Sequence, residues 1–423
     1  MNEHSTPRDM LGRGLLTGVG EARRKILDLV EPITVERETI FLHEALDRVS
    51  AGPVISREDL PNCDRSTMDG YAVASADTFG ASQSMPAYLE IDGEVLMGKE
   101  PAGSVRRGSC FKIPTGGLLP RGADAVVMHE HTVEVDGKLI EVVKGVGAGA
   151  NVIRRGDDIK HGETAVAGGK LLRPQELGLL AGLGVGELDV FRKLRIGILS
   201  TGDEVIDYTE PLQPGKIRNI NSIVLAGACR RLGGDVNDFG IVSDSESSFF
   251  STVERAVQEN DIVLFSGGSS VGMRDLGEQA IERLGNPGVV VHGVSLKPGK
   301  PVIIGLCDNT PVFGLPGHPV SAMVCFELFV VPVIQSLSGR TTADTEERPA
   351  INARLKRNVN SAAGRLDVVR VRLENENGTL NAYPVLGRSG AISTLSRAHG
   401  YFMIAEDSQG CSSEELITVY LYQ

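Results

Sequence analysis

Residues 261–276 read DIVLFSGGSSVGMRDL, and this stretch decides the fold. A short apolar, β-prone run enters Ser266-Gly267-Gly268-Ser269-Ser270, and a helical segment follows. A buried strand, a glycine turn and a helix make one unit of an α/β sheet. The glycines let backbone N–H groups come close to a bound group. The helix start adds positive partial charge. The turn therefore reads as an anion cradle, suited to phosphate, although a plain glycine-rich turn would be spelled the same way. The Lys-Ser/Thr pair of a P-loop is missing, which excludes that class of ATPase.

Working outward, RIGILS, DIVLFS, GVVVHGVSL, PVIIGL and PVFGLP are short apolar runs between residues 195 and 316. Helical segments are predicted at 221–232, 247–259, 276–284 and 319–337. Alternation of this kind predicts a largely parallel sheet covered on both faces. Three further strand ends carry polar loops. In ILSTGDEV (198–205), Ser200, Thr201 and Gly202 offer donors, while Asp203 and Glu204 offer carboxylates for a helix cap or for Mg²⁺. In LKPGKPV (296–302), Lys297 and Lys300 flank a rigid Pro-Gly corner, as an anion clamp or as two exposed loop lysines. In GLPGHPVSA (314–322), Pro316-Gly317 ends a strand and Pro319 opens a helix that presents Ser321. Four such loops in one sheet point to a phosphate-bearing ligand at the carboxyl ends of its strands.

The flanks read differently. Helices are expected at 17–30 and 42–50. Short β runs over 54–143, with the hairpin dipeptide Asp136-Gly137, predict a small all-β domain. Residues 144–190 carry RRGDDI (154–159) and a helix at 174–183. Beyond a polar linker at 341–348, strand-like runs predict a small β-barrel or sandwich. LPNCDRSTMDGYAV (60–73) concentrates Asp64, Arg65, Ser66 and Asp69, as a catalytic loop or a structural turn. Asp157 and Asp158 could share a metal or sit in a solvated turn. Arg365, Ser389, Ser393 and Thr394 are weak signals singly.

Composition narrows the choice. The 423 residues imply about three domains. A 41% hydrophobic, 23% charged chain is not wholly disordered. The net charge of −12 argues against a general nucleic-acid or anionic-membrane binder, so any anion must be met by local cations. Glycine is abundant at 51 residues and tryptophan is absent. No run approaches the ~20 apolar residues of a membrane span, and no secretory signal is visible. Six scattered cysteines without C-x-x-C read as reduced thiols, giving a cytoplasmic expectation. His129-Glu130-His131 falls in a predicted strand with both imidazoles on one side, but no further Cys or His supports zinc. GVGAGAN lacks a dinucleotide-binding context, no G-x-S-x-G elbow occurs, and Cys63 beside Asp64 is a poor nucleophile.

DRSTMDGYAV, RRGDDI, STGDEV, SGGSSVGMRD, KPGKPV and LPGHPVSA occur in the order they take in the MoeA/gephyrin E-domain family. The chain resembles that family of molybdopterin molybdenumtransferases from about residue 18 onward. The resemblance implies an α/β plus β fold in four parts. These are an elongated domain from 15–53 and 144–190, an inserted β domain at 54–143, a MogA-like α/β domain at 191–340, and a C-terminal β-barrel at 341–423. It implies a cytoplasmic homodimer whose cleft is completed by the second subunit, with a MogA-type adenylyltransferase as a possible partner. The implied reaction inserts molybdate into adenylylated molybdopterin with Mg²⁺ and releases AMP. A tungstate-inserting homologue, a MogA-like adenylyltransferase and a non-catalytic pterin-binding scaffold are the alternatives.

Carried over by motif, Asp64, Asp158, Glu187, Asp203, Asp275, Lys297 and Lys300 are the implied catalytic set. Ser66, Thr201, Gly267, Gly268, Ser270, Gly272, Pro316, Ser321, Arg365 and Ser389 are the implied substrate-binding set. Asp203 and Asp275 are the implied holders of the divalent ion. Arg65 and His318 stand where Asn is usual, and Met273 stands where an acid is common.

Overall fold

The computed structural model describes residues 16–31, 33–267, 271–341 and 348–422, without the side chains of 271–274. Its largest core surrounds a six-stranded sheet. The strand order is Asp235–Val242, Arg195–Thr201, Ile262–Gly267, Thr310–Leu315, Ile303–Cys307, Pro287–His292. The first four strands are mutually parallel and the last two pairings are antiparallel. Side chains alternate across the sheet: Ile262 and Leu264 face one core, Val263 and Phe265 the other. Helices Glu246–Glu259 and Val271–Leu284 cover the second face through Phe249, Val253, Ala280 and Ile281. The last of these begins at Val271, earlier than the expected residue 276, which brings Gly272 and Asp275 onto a helix.

Helix Val19–Val30 buries Val19, Ala22, Ile26 and Val30, spaced three and four apart, in the first core. It belongs by sequence to the 15–53 segment, yet it packs on the α/β sheet. Helix Pro319–Leu337 is the one described helix long and apolar enough to cross a bilayer, and 78% of its apolar window is buried inside the protein. At mid-length Phe326–Val330 forms a π turn, where Val331 N–H reaches the carbonyl of Phe326. The next donor would be Pro332, which has no N–H. The carbonyl of Glu327 is met instead by the Arg348 guanidinium, which also bonds Tyr401 Oη at 2.6 Å.

Strands Leu366–Glu376, Thr379–Pro384, Ala350–Leu355, Leu416–Leu421 and Gly400–Ile404 pair in that order. The last also pairs with the first, closing a five-stranded barrel. The inserted β domain is a six-stranded sheet with an apolar cluster on each face, one around Tyr71, Leu89 and Val127, the other around Phe111 and Val126.

Two further local expectations change. The helix expected at 42–50 is a single 3₁₀ turn, Leu42–Glu44. Asp47 takes φ 61°, and the chain re-enters extended bridges at Val49 and Ser50. His129–His131 is also a 3₁₀ turn rather than strand. At three residues per turn the two imidazoles diverge. His129 meets the Tyr71 ring edge-on, and His131 lies 3.3 Å from Lys144 Nζ.

Candidate active site

The parallel strands end on one side of the sheet, and a cavity of about 620 Å³ opens there. Thr201 and Gly267 stand in register at the ends of adjacent strands. Gly267 has φ 142°, and an added Cβ would lie 2.1 Å from the Thr201 carbonyl oxygen, so no side chain fits. The next strand end contributes Pro316, and the first turn of the long helix contributes Ser321, which is 5% exposed.

The opposite wall joins two domains. Leu296–Lys297 pairs in parallel with Leu366–Asp367 of the barrel, so the lysine-bearing corner is an extra strand on the barrel's sheet. Gly299, φ 125°, lets that corner turn against Leu296 and Cys325, either of which an added Cβ would approach to 2.8 Å. Lys297, Lys300 and Arg365 all line the cavity, as does Ser389. Asp367 is 4% exposed. It accepts from Arg365 Nε at 2.8 Å, and its other oxygen lies 3.5 Å from Lys297 Nζ. Lys300 has no ion-pair partner among the described residues.

A second cavity of about 610 Å³ adjoins the first, and Thr201, Gly267, Gly317 and His318 line both. His318 Nδ1 lies 2.8 Å from Ser389 Oγ, and Val320 N–H donates to the Ser389 carbonyl at 3.1 Å. The barrel loop thus caps the long helix. Glu204, Lys216 and Arg218 line the second cavity.

Of the expected site residues, Thr201, Gly267, Lys297, Lys300, Pro316, Ser321, Arg365 and Ser389 share the first cavity. Asp203 lies beside the second, with its amide 3.3 Å from Asp244 Oδ2. Its backbone carbonyl accepts from Lys216 Nζ at 2.6 Å. Burial, with repulsion from Asp203 and Glu204, raises the Asp244 carboxyl above its ordinary pKa. Asp275 stands on helix Val271–Leu284 and lines neither cavity. Gly272 is in the first turn of that helix. Gly268 and Ser270 lie outside the described residues.

Asp64, Ser66 and Asp158 gather elsewhere. Arg65-Ser66 pairs with Val152–Ile153, and Asp64 Oδ1 accepts from Arg155 N–H at 2.8 Å. The Asp158 amide donates to the Leu60 carbonyl at 3.0 Å. Beside them the His161 amide and then the Arg155 guanidinium hold Asp59 below the usual carboxylate range. Glu187 is on strand Glu187–Phe191, paired with Arg37–Phe41, along a separate groove of about 960 Å³. Reading the sequence missed Asp367, although it follows Arg365 by two in a predicted strand and so shares its side. It also missed Asp244.

An α/β unit with a cation-lined cleft at its strand ends, an inserted β sheet and a barrel that closes the cleft define a multidomain protein suited to an anionic ligand. The comparisons narrow this. The MoeA N-terminal region (domain I and II) matches residues 17–184, the probable molybdopterin binding domain 197–336, and the MoeA C-terminal region (domain IV) 352–422. The molybdopterin molybdenumtransferase of Haemophilus influenzae is 34% identical over 405 residues, 94% of this chain and 97% of that one. That of Bacillus subtilis is 30% identical over 390 residues, 91% of this chain and 90% of that one. The crystal structure of the molybdopterin biosynthesis moeA protein from Pyrococcus horikoshii OT3 aligns with TM-score 0.83 and 32% identity, covering 96% of this chain and all of the other. The chain belongs to the MoeA family of molybdopterin molybdenumtransferases.

Proposed function

We propose that the chain inserts molybdate into the dithiolene of adenylylated molybdopterin and releases AMP, the last step of molybdenum cofactor assembly. The observation that carries this reading is the convergence of Lys297, Lys300 and Arg365 with the hydroxyls of Thr201, Ser321 and Ser389 around one cavity. Molybdate is a tetrahedral dianion, and its approach to an anionic dithiolene bearing a phosphoanhydride is electrostatically uphill. Three cations in a recessed site offset that repulsion more strongly than they would in water. The hydroxyls add hydrogen bonds to oxyanion oxygens without adding bulk. The neck at Gly267, Gly317 and Thr201 suits phosphate oxygens, leaving a cavity on each side for the two ends of an elongated ligand.

Each oxo group that leaves as water takes up two protons, and cleavage of the anhydride consumes one water. Asp64 and Asp275 are the acids that the family resemblance offers for proton delivery, although neither lines a cavity of its own chain. No three His, Cys, Asp or Glu side chains converge as a metal cage among the described residues. A Mg²⁺ ion needs less, since it keeps several waters and takes one or two carboxylates. Asp203 and Asp244 fit that demand. Asp244 has a buried carboxylate oxygen without a hydrogen-bond partner, and a cation would relieve its crowding. When bound there, Mg²⁺ would shield anhydride charge.

Asp64, Ser66 and Asp158 line neither cavity of their own chain. This supports a homodimer in which these loops complete the partner's cleft. A cytoplasmic location and a MogA-type adenylyltransferase as the source of the substrate accompany the reading. The test is a single-turnover assay with adenylylated molybdopterin, molybdate and Mg²⁺. Metal-loaded cofactor with AMP is expected. ATP consumption would mean an adenylyltransferase, binding without turnover a scaffold, and preference for tungstate in competition a tungsten enzyme.

A further inference from the structure

Behind the cavity wall, bonded to two of the residues that line it, lies an anionic group that the proposed reaction leaves unused. Asp367 is 4% exposed, whereas the side chains of its two partners, Lys297 and Arg365, are 56% and 36% exposed. A buried carboxylate thus holds two cations whose heads face the cavity. Arg365 sits in the bend just before the strand that carries Asp367, and from there its Nε reaches the carboxylate at 2.8 Å. Lys297 reaches them because its short strand is paired to theirs, with Lys297 opposite Asp367 and the Ser295 carbonyl accepting from Leu366 N–H at 2.9 Å. The lysine comes from the α/β unit and the arginine from the barrel, so one carboxylate spans the domain seam.

We propose that Asp367 is a positioning residue for oxyanion transfer: it aims Lys297 and Arg365 into the cavity and cancels one of the three positive charges there. Without it the wall carries Lys297, Lys300 and Arg365 uncompensated. Such a wall would hold a dianion tightly in any orientation. Binding that is equally strong before and during the reaction does not speed the reaction. With Asp367 the net charge matches a dianion, and the two cations are fixed in direction. The inference rests on reading this cavity as the metal-insertion site.

The test uses two substitutions in the full chain. Asp367→Asn keeps the shape and removes the charge. Asp367→Glu keeps the charge and displaces it by one methylene. Molybdate alone is titrated calorimetrically, metal insertion is followed in a single turnover, and melting curves check the fold. The Asn variant should bind molybdate about fivefold more tightly, a long-range charge effect reduced by solvent. Its turnover should fall at least about tenfold. The Glu variant should bind molybdate within about twofold of wild type yet also turn over at least about tenfold more slowly.

Parallel loss of binding and turnover in both variants would mark Asp367 as merely structural and overturn the proposal. So would unchanged kinetics, or no molybdate binding by any form. If the Asn variant does not fold, the Glu variant decides: unchanged affinity with slowed turnover supports positioning, and loss of both refutes it. A wild type that binds molybdate but inserts none would refute the proposed function instead, and the Asn titration alone would then judge the charge role.

Discussion

The two polar loop clusters of this chain are built on opposite plans. The cavity cluster collects residues from strand ends, a helix start and the barrel, and its character is cationic: Lys297, Lys300 and Arg365. The other, around Asp64, Ser66 and Asp158, sits where two loops pair away from both cavities. Asp64 there accepts a backbone N–H within its own fold. A parallel sheet makes a site out of one chain, because its strand ends all open on one side. Two paired loops make no enclosure alone. They become a site only against something else, which is why the contrast bears on whether the active cleft is shared between subunits.

The largest expected effect tests the cationic half. Lys297→Ala should lower metal insertion by at least about a hundredfold, the scale of removing one preorganised oxyanion group. Unchanged cofactor yield in a reconstitution assay would take Lys297 out of the site. The sharing itself is tested by mixing. Asp64→Asn and Lys297→Ala should each be inactive as homodimers, while random heterodimers should recover roughly a quarter of wild-type sites. Absence of recovery, with exchange of subunits verified by mass, would place both clusters in one subunit's chemistry or make the Asp64 loop structural.

A smaller effect concerns the seam over the cavity. His318 and Ser389 are joined at 2.8 Å. His318→Ala and Ser389→Ala should each slow insertion about fivefold, and the double variant should be no worse than the slower single one. Additive losses in a double-mutant cycle would separate them. The smallest effect lies further along the long helix. Burial raises the Glu327 carboxyl above its ordinary value of 4.5, against the opposing charges of Arg348 and Arg231. A raised acid favours the fold fully below that ordinary value, and the benefit is lost as pH climbs through the raised one. Glu327→Gln should therefore melt roughly 2 °C higher than wild type at pH 8. The two should converge near pH 4. A gap that widened toward low pH would reverse the assignment.

Much of the cavity was legible because strand-end loops write themselves in glycine, proline and lysine. Residues 261–267 announce a buried strand and a turn, and KPGKP announces a corner. The barrel strands showed in runs such as RLDVVRVRL and ELITVYLY. What did not show depends on tertiary partners. Nothing local says that Lys297 will pair in register with Asp367, or that the helix Val19–Val30 will join the α/β core rather than its sequence neighbours. The 42–50 segment has helix-forming letters, but Asp47 turns left-handed and bridges to Leu171 and Val190 pull the chain into extension. The apolar spacing carried the face of each helix, and long-range pairing carried the rest.

The π turn at Phe326–Val330 has a consequence for modularity. Pro332 deprives the Glu327 carbonyl of its in-helix donor, and the donor that replaces it, Arg348, stands at the far end of the linker. The α/β unit therefore ends with a port that the next domain plugs. Cutting the chain before the barrel would leave that port open in an otherwise apolar wall, together with the half-buried Glu327 that Arg348 helps to balance. The unit looks separable by its sheet but is not self-sufficient. A transplant of it into another scaffold would have to carry a guanidinium along, or return a helix-compatible residue to position 332.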